Sequence, residues 1–495
     1  MFQLRNLEPR QYQQAIFETA KQHNTLAVLE TGLGKTAIAI MLTLYKLSQD
    51  LSQKVLILAP SRPLIAQHHR SFLHHTSLDP EDLTLITGKL SPLQRKKQYS
   101  QALVILSTPQ CINNDLKKHR ISLSNISLII FDEAHHAIKN YAYVNIALSY
   151  QQHPNPHIVA LTASPGSNKQ KINEIKKNLY IEKVEIRTSQ DHDVQPYIHE
   201  RNTQWLTIPL DPQLLTIIAK VKQLHTSSLR KLKQLGVSKP LNLINKRDLL
   251  ELQARYRNQL SQHNPIAFHG ISLTSQLLKT AHLIDMLETQ GIATAMNYLE
   301  KLSRETSRAA KSILSSSNIQ QAILNLKELK NYTHPKIAAL TKLIAEELQH
   351  NPKAKTIIFV NFRDTIDEIL QALTKIPQAK PTILIGQKSG LTQAEQLATI
   401  HNFEAHKFNI LIATSIGEEG LSISSLDIAI FYDAVPSAIR RIQRTGRVAR
   451  LKPGKIIHLI AQGTRDAAYY WKSKQEEKRM NALLYQMQTE KQTTL

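Results

Sequence analysis

The sequence predicts an α/β protein: two parallel-sheet domains with an all-helical insert between them. Three observations carry this. Short apolar runs recur in two separate clusters, the stretch between them has helical periodicity, and glycine is concentrated in the clusters. Only 14 of 495 residues are glycine, and residues 167–385 hold just three, so sharp turns and close backbone approaches belong mainly to the two ends.

The first domain, residues 1–200, contains apolar runs at 26–29, 55–59, 103–106, 128–131 and 158–161. Runs of this length between turn signals fit strands buried on both faces of a parallel sheet. The insert, residues 201–335, shows none from about residue 205 onward. Its Leu, Lys, Gln and Ala fall at helical spacing, as in Leu273, Leu277, Ala281, Ile284 and Leu287. From Lys222 to Arg257 nine Lys or Arg face only Asp248 and Glu251, which makes this part strongly basic. The second domain, residues 336–470, repeats the first pattern at 356–360, 382–385, 410–413, 428–431 and 456–460. The tail, residues 471–495, is polar and reads as one frayed helix from Lys472 to Lys491.

Composition narrows the partners. With 42% hydrophobic and 20% charged residues the chain is globular, not disordered. Its 62 Lys and Arg against 39 Asp and Glu leave a charge of +23, which points to a polyanion, nucleic acid first. The single Cys111 excludes an internal disulfide, and no Cys/His spacing offers a zinc site. No apolar run approaches the ~20 residues of a membrane span, and there is no signal-peptide core. The expectation is an intracellular protein, cytoplasmic and nucleoid-associated in a prokaryote, with no membrane partner.

Three motifs carry chemistry. Thr31-Gly32-Leu33-Gly34-Lys35-Thr36 lies between a strand and a helix, the setting a phosphate loop needs. Small residues let backbone N–H groups close around phosphates at a helix N-terminus. Lys35 would add a point charge, and the Thr36 hydroxyl would ligate Mg²⁺. Leu29 stands where the full pattern has its first glycine, so the shorter TGxGKT form applies. The second motif, Asp132-Glu133-Ala134-His135, follows a buried run. Asp132 is assigned to the metal and Glu133 to activating water; an acidic helix cap is the plainer alternative. The third is 443–450, QRTGRVAR. Its guanidinium forks suit spread phosphoryl charge. Arg447 and Arg450 share one helical face and would act as arginine fingers if the sheets face each other. Gln443, Arg447 and Arg450 thus join Lys35, Asp132 and Glu133 as candidate catalytic residues. A solvated or nucleic-acid-facing basic helix is the alternative there.

The order TGLGKT, DEAH, Thr162-Ala163-Ser164, QRTGRVAR resembles the superfamily 2 helicases. The narrower blocks are PRQYQ (9–13), DEAHHAIKNYAYV (132–144), LTASPGS (161–167), EIRTSQDHDVQPY (185–197), IIFVNFRDT (357–365), ATSIGEEGLSIS (413–424) and FYDAVPSAIRRIQRTGR (431–447). These resemble the archaeal Hef helicase and its relatives of the Fanconi anaemia complementation group M type. The resemblance implies two RecA-like domains using ATP and Mg²⁺. By motif, Arg10, Tyr12 and Gln13 would read adenine beside the phosphate loop of Thr31, Gly32, Leu33, Gly34, Lys35 and Thr36. Glu419, Gly420 and Arg447 would be nucleotide contacts of the second domain. Thr162 and Ser164 would couple hydrolysis to domain movement. Ser61, Arg62, Gly88, Thr108, Asn361, Phe362, Arg363, Gly386, Gln387 and Thr414 would line the nucleic-acid backbone track, where contacts position the strand without reading its sequence. A strand-end turn is the plainer reading of Thr108 and Thr414.

Two residues depart from the family pattern: Ser422 stands in place of an Asp, and Ala449 in place of the second glycine of the arginine motif. Proteins of this type often continue into a nuclease domain with a GDxxxERKxxxD-like motif, and none follows Trp471; if the chain is complete, the expectation is the helicase part alone, with a separate nuclease or repair factor as a partner. The implied activity is an ATP-dependent, 3′ to 5′ DNA helicase or translocase on forked or branched DNA in fork repair and recombination. The insert resembles the family's thumb-like domain and would grip the duplex arm. Two other readings stay open. One is an RNA-directed ATPase of the same superfamily; the other is a nucleic-acid scaffold with a degenerate ATPase, hinted at only by Ser422 and Ala449.

Overall fold

In the first domain the apolar runs become the central strands of a seven-stranded sheet. A computed structural model describes residues 2–198, 201–260, 265–329, 332–386, 392–414, 426–434 and 454–489. The strands are β1 (Thr25–Leu29), β2 (Lys54–Leu58), β3 (Leu83–Ile86), β4 (Val104–Ser107), β5 (Ile126–Phe131), β6 (Ile158–Thr162) and β7 (Lys183–Arg187). Their order is β3-β4-β2-β5-β6-β1-β7, and every pairing is parallel. All five residues of β1 are buried. Leu26 and Val28 enter one core and Ala27 and Leu29 the other, as the two-residue period of a sheet covered on both faces requires.

The second sheet contains β8 (Arg201–Ile208), β9 (Thr356–Phe359), β10 (Pro381–Leu384), β11 (Ile410–Ala413), β12 (Ile428–Phe431) and β13 (Gly454–Ala461). Its order is β10-β11-β9-β12-β13-β8, again parallel throughout. Between β8 and β9 the chain builds helices Pro212–Gln234, Lys246–Leu260, Pro265–Thr289, Ile292–Ser303, Arg308–Leu314 and Ser317–Glu328. Two parallel-sheet domains with a helical bundle between them is the fold class the sequence predicted. Among the described residues, no helix is long and apolar enough to cross a membrane.

Two expectations are corrected. Residues 201–208, placed with the insert, form β8, which pairs with β13 over its whole length. It is an edge strand with Trp205 and Leu206 exposed, so it lacks the apolar run that marks a buried strand. The tail is helical as expected, but the helix begins at Arg465, before Lys472, and is docked instead of frayed. Helix Arg465–Thr489 returns from the second domain to the first and buries Met480, Leu484 and Met487 in its core. These three recur at helical spacing, a stripe hidden by the polar composition around it. The Tyr485 hydroxyl donates to Asp191 at 2.6 Å, and the Gln488 side chain bonds both Glu185 and the Ile186 amide.

Strand order positions the sites. In parallel sheets ligands collect beyond the C-terminal ends of strands. The ends of β5, β6 and β1 are neighbours, and they carry Asp132, Thr162 and the phosphate loop. The ends of β3, β4 and β2 are neighbours on the other half, and they lead to Gly88, Thr108 and Ser61-Arg62. In the second sheet β10, β11 and β9 lead in the same way to Gly386, Thr414 and Asn361.

Candidate nucleotide and nucleic-acid sites

The phosphate loop turns on glycines: Gly32 and Gly34 have φ of 97° and 76°, which L side chains rarely adopt. Gly34 caps helix Lys35–Gln49, and a Cβ there would meet Gln13 Nε2 at 2.4 Å. Lys35 reaches back across the loop, its ammonium donating to the Leu29 carbonyl at 3.3 Å. The segment expected to read adenine is tied to this loop. The Leu33 carbonyl accepts from the Tyr12 hydroxyl at 2.8 Å and from Gln13 Nε2 at 3.0 Å. Gln13 Oε1 accepts the Arg10 amide at 3.0 Å, and the side chain is buried. The Arg10 guanidinium lies 5.3 Å from the centre of the Tyr197 ring. Burial pushes the Tyr12 phenol above its ordinary value despite the opposing Arg10 charge.

Asp132 and Glu133 leave the end of β5 beside the loop. The Asp132 amide donates to Leu58 at 2.8 Å, and the buried Tyr143 hydroxyl donates to the Asp132 carbonyl at 2.7 Å. Asp132 Oδ1 accepts the Glu133 amide at 2.9 Å, and Oδ2 lies 2.7 Å from His68 Nε2. Burial works to raise this carboxyl, but the His68 hydrogen bond, its charge and the Lys35 ammonium hold it below the ordinary carboxylate range. Glu133 is left-handed, with φ 48° and ψ 49°. Such backbone costs about 1–3 kcal/mol and clusters at functional sites. Its Oε2 is buried without a hydrogen bond, although His135 Nδ1 stands 3.3 Å away.

His135 connects this motif to the next: its Nδ1 lies 3.2 Å from the Thr162 hydroxyl. That hydroxyl also accepts the Ser164 amide at 3.2 Å. Ser164 Oγ in turn lies 2.9 Å from Met480 Sδ on the returning C-terminal helix. The two residues expected to couple hydrolysis to movement are therefore one contact from the DEAH motif and one from a helix rooted in the second domain.

On the other half of the first sheet, Arg62, Gly88 and Thr108 line a surface cavity of about 290 Å³ together with Pro60, Gln110 and Asn114. Ser61 caps helix Arg62–His75 by accepting the Leu64 amide. Thr108 precedes helix Pro109–Lys117 and makes no cap hydrogen bond with its hydroxyl. In the second domain the Asn361 amide donates to Asp433 Oδ2, whose other oxygen accepts from Gln290 of the insert, both at 2.5 Å. The Thr365 hydroxyl donates to Gln290 Oε1 at 2.8 Å. Phe362 packs against the apolar cluster of the insert, so its ring forms a joint between domains. Arg363 begins helix Arg363–Leu373. Gly386 follows β10, and the Thr414 amide at the end of β11 donates to Leu384. Gln387, Glu419, Gly420, Ser422, Gln443, Arg447, Ala449 and Arg450 lie outside the described residues.

Family models match along the chain: the res subunit of type III restriction enzymes over residues 6–167, an ATP-dependent RNA helicase helical bundle over 217–333, and the helicase conserved C-terminal domain over 335–452. The crystal structure of the Pyrococcus furiosus Hef helicase domain superposes with a TM-score of 0.73 at 40% identity, covering 94% of this chain and 98% of that one. The chain belongs to the superfamily 2 helicases, close to Hef. Relatives of this helicase include a Methanocaldococcus jannaschii protein named, provisionally, an ATP-dependent RNA helicase, 37% identical over 98% of the chain. A Neurospora crassa ATP-dependent DNA helicase, mph1, is 31% identical over 92%, and an Arabidopsis thaliana protein named DEAD-box ATP-dependent RNA helicase FANCM is 33% identical over 93%. The chain spans 61%, 41% and 35% of those three proteins.

Helicase domains of this family imply ATP binding and the usual Mg²⁺ dependence. The residues present fit both. The Lys35 ammonium of the glycine-turned loop acts on the Asp132 carboxyl, and the adjoining Glu133 keeps a buried oxygen without a hydrogen bond. Sequence reasoning missed three residues here. His135 was visible in the DEAH motif but received no role. Tyr197 was visible only as part of a family block. His68 sits in a His-His pair that carries no motif signal.

Proposed function

We propose that this helicase is an ATP-driven DNA translocase acting on forked or branched DNA in fork repair and recombination. The observation that carries the reading is the division of the first sheet. The nucleotide residues occupy the ends of β5, β6 and β1, while the backbone-track residues occupy β3, β4 and β2. A single layer would thus present ATP to one half and a strand to the other. In this reading Lys35 holds phosphates, Thr36 and Asp132 hold Mg²⁺, and Glu133 orients the attacking water. Gln443, Arg447 and Arg450 would complete the site from the second domain. Closure on ATP and opening after hydrolysis would step the strand.

DNA and branch preference draw support from the relatives named as DNA helicases and from the basic insert. Its helices join the second domain through Gln290 and Asp433, directly behind Asn361. A grip on the duplex arm would therefore bear on the strand track. The RNA-directed reading is favoured by the names of the Methanocaldococcus and Arabidopsis relatives. The test is ATPase rate at moderate salt with no polymer, single-stranded DNA, forked DNA or double-stranded RNA, alongside Lys35→Ala. Turnover stimulated most by the fork and lost in Lys35→Ala is expected. Stimulation by RNA above DNA would replace the proposal with the second reading, and tight binding without turnover would replace both with a scaffold.

A further inference from the structure

Helix Arg62–His75 touches both halves of the first domain. Its N-terminal residues Ser61 and Arg62 belong to the proposed strand track. Six residues beyond Arg62, roughly 9 Å along the axis, His68 meets Asp132. Ile65 and Phe72 on the same helix are fully buried, which seats the element in the core on either side of His68.

The His68–Asp132 contact is short and dry. Nε2 to Oδ2 is 2.7 Å, and the side chains are 3% and 6% exposed. His68 Nδ1 is buried and makes no hydrogen bond, so Asp132 is the polar anchor of the ring. An ionised carboxylate only accepts, so Nε2 donates. With the Glu133 amide on Oδ1, each oxygen of Asp132 is oriented by one donor and keeps a lone pair for a cation. A histidine used only as filler would sit more cheaply here as an apolar side chain.

We propose that His68 is a positioning residue that aims Asp132 at the magnesium–nucleotide site and carries the placement of the strand-bearing end of its helix to that site. This rests on the ATP-driven, nucleic-acid-dependent reading above. Groups that orient a metal ligand typically change metal affinity or activity about 10- to 100-fold when removed.

The experiment compares wild type, His68→Ala and His68→Gln. The Gln amide nitrogen can reach the position of imidazole Nε2. Binding of a fluorescent, non-hydrolysable ATP analogue is followed while Mg²⁺ is titrated, which needs no turnover. ATPase with and without single-stranded DNA, and affinity for that DNA, are measured on the same proteins. In His68→Ala the Mg²⁺ concentration for half-maximal binding should rise by about tenfold or more. Binding of the analogue without Mg²⁺ and affinity for DNA should stay unchanged, while stimulation of ATPase by DNA should fall toward one. His68→Gln should recover most of both. If alanine disturbs the core, His68→Asn fills the site with an amide too short to reach Asp132 and must show the same Mg²⁺ defect. A wild-type Mg²⁺ midpoint in the Ala or Asn variant would overturn the proposal, as would equal impairment in His68→Gln. Wild-type protein that DNA or RNA fails to stimulate would sink the functional reading instead, and the Mg²⁺ titration would still decide the role of His68 toward Asp132.

Discussion

Replacing Glu368 with Gln tests how the insert is joined to the second domain. Glu368 lies on helix Arg363–Leu373 and faces the start of helix Ile292–Ser303, beside Gly291 and the Thr294 amide. Its Oε1 is buried without a hydrogen bond. Burial, aided by the Asp364 charge, raises this carboxyl from 4.5 to about 7. Between those values the folded state holds a proton that the unfolded chain has lost, so stability falls as pH rises. The full contribution is present below about pH 4.5 and is lost as pH climbs through 7. The difference between 4.5 and 7 corresponds to about 3 kcal/mol. Glu368→Gln keeps the shape and never ionises, so its advantage over wild type should grow by about 2 kcal/mol from pH 5 to pH 8, the remainder falling below pH 5 or being screened by solvent. Because several domains do not unfold as one unit, local stability is the proper readout. Amide hydrogen exchange of helix Ile292–Ser303, corrected for intrinsic rates, supplies it. A difference between the two proteins that stays constant from pH 5 to pH 8 would refute the reasoning.

Three further outcomes follow from packing and loop geometry. Leu484 is fully buried in the core of the first domain, so Leu484→Ala should destabilise that domain by about 2–5 kcal/mol, seen as a lower denaturant midpoint for its unfolding. Gly34→Ala combines a positive φ with a Cβ 2.4 Å from Gln13 Nε2, and it should abolish binding of a fluorescent ATP analogue while circular dichroism stays unchanged. A Cβ at Gly270 would stand 2.7 Å from the Tyr256 ring, so Gly270→Ala should loosen the insert by about 1–3 kcal/mol in hydrogen exchange and leave ATPase without polymer unaltered.

Much of the architecture was legible because buried parallel strands leave a local mark. The runs at 26–29, 55–59 and 128–131 had to be apolar on both faces, and the phosphate loop had to be glycine-turned between strand and helix. β3 and β7 were less visible, since Leu83–Ile86 contains Thr84 and Lys183–Arg187 alternates with charge. β8 was invisible for the opposite reason to β1: an edge strand exposed at Trp205 and Leu206 needs no apolar run.

The sequence by itself determined the chemistry available. It supplied a phosphate loop with Lys35 and Thr36, carboxylates at Asp132 and Glu133, an arginine motif, and a positive charge suited to nucleic acid. Only the tertiary structure decided who touches whom. Strand order, set by crossovers far longer than any motif, separated the strand ends proposed to hold nucleotide from those proposed to track the nucleic acid. The contacts of His68 with Asp132, His135 with Thr162 and Met480 with Ser164 join residues 64, 27 and 316 positions apart. A pattern read along the chain carries periods of two and 3.6 residues. Pairings at these separations are set by how whole helices and sheets pack, and they leave no period to read.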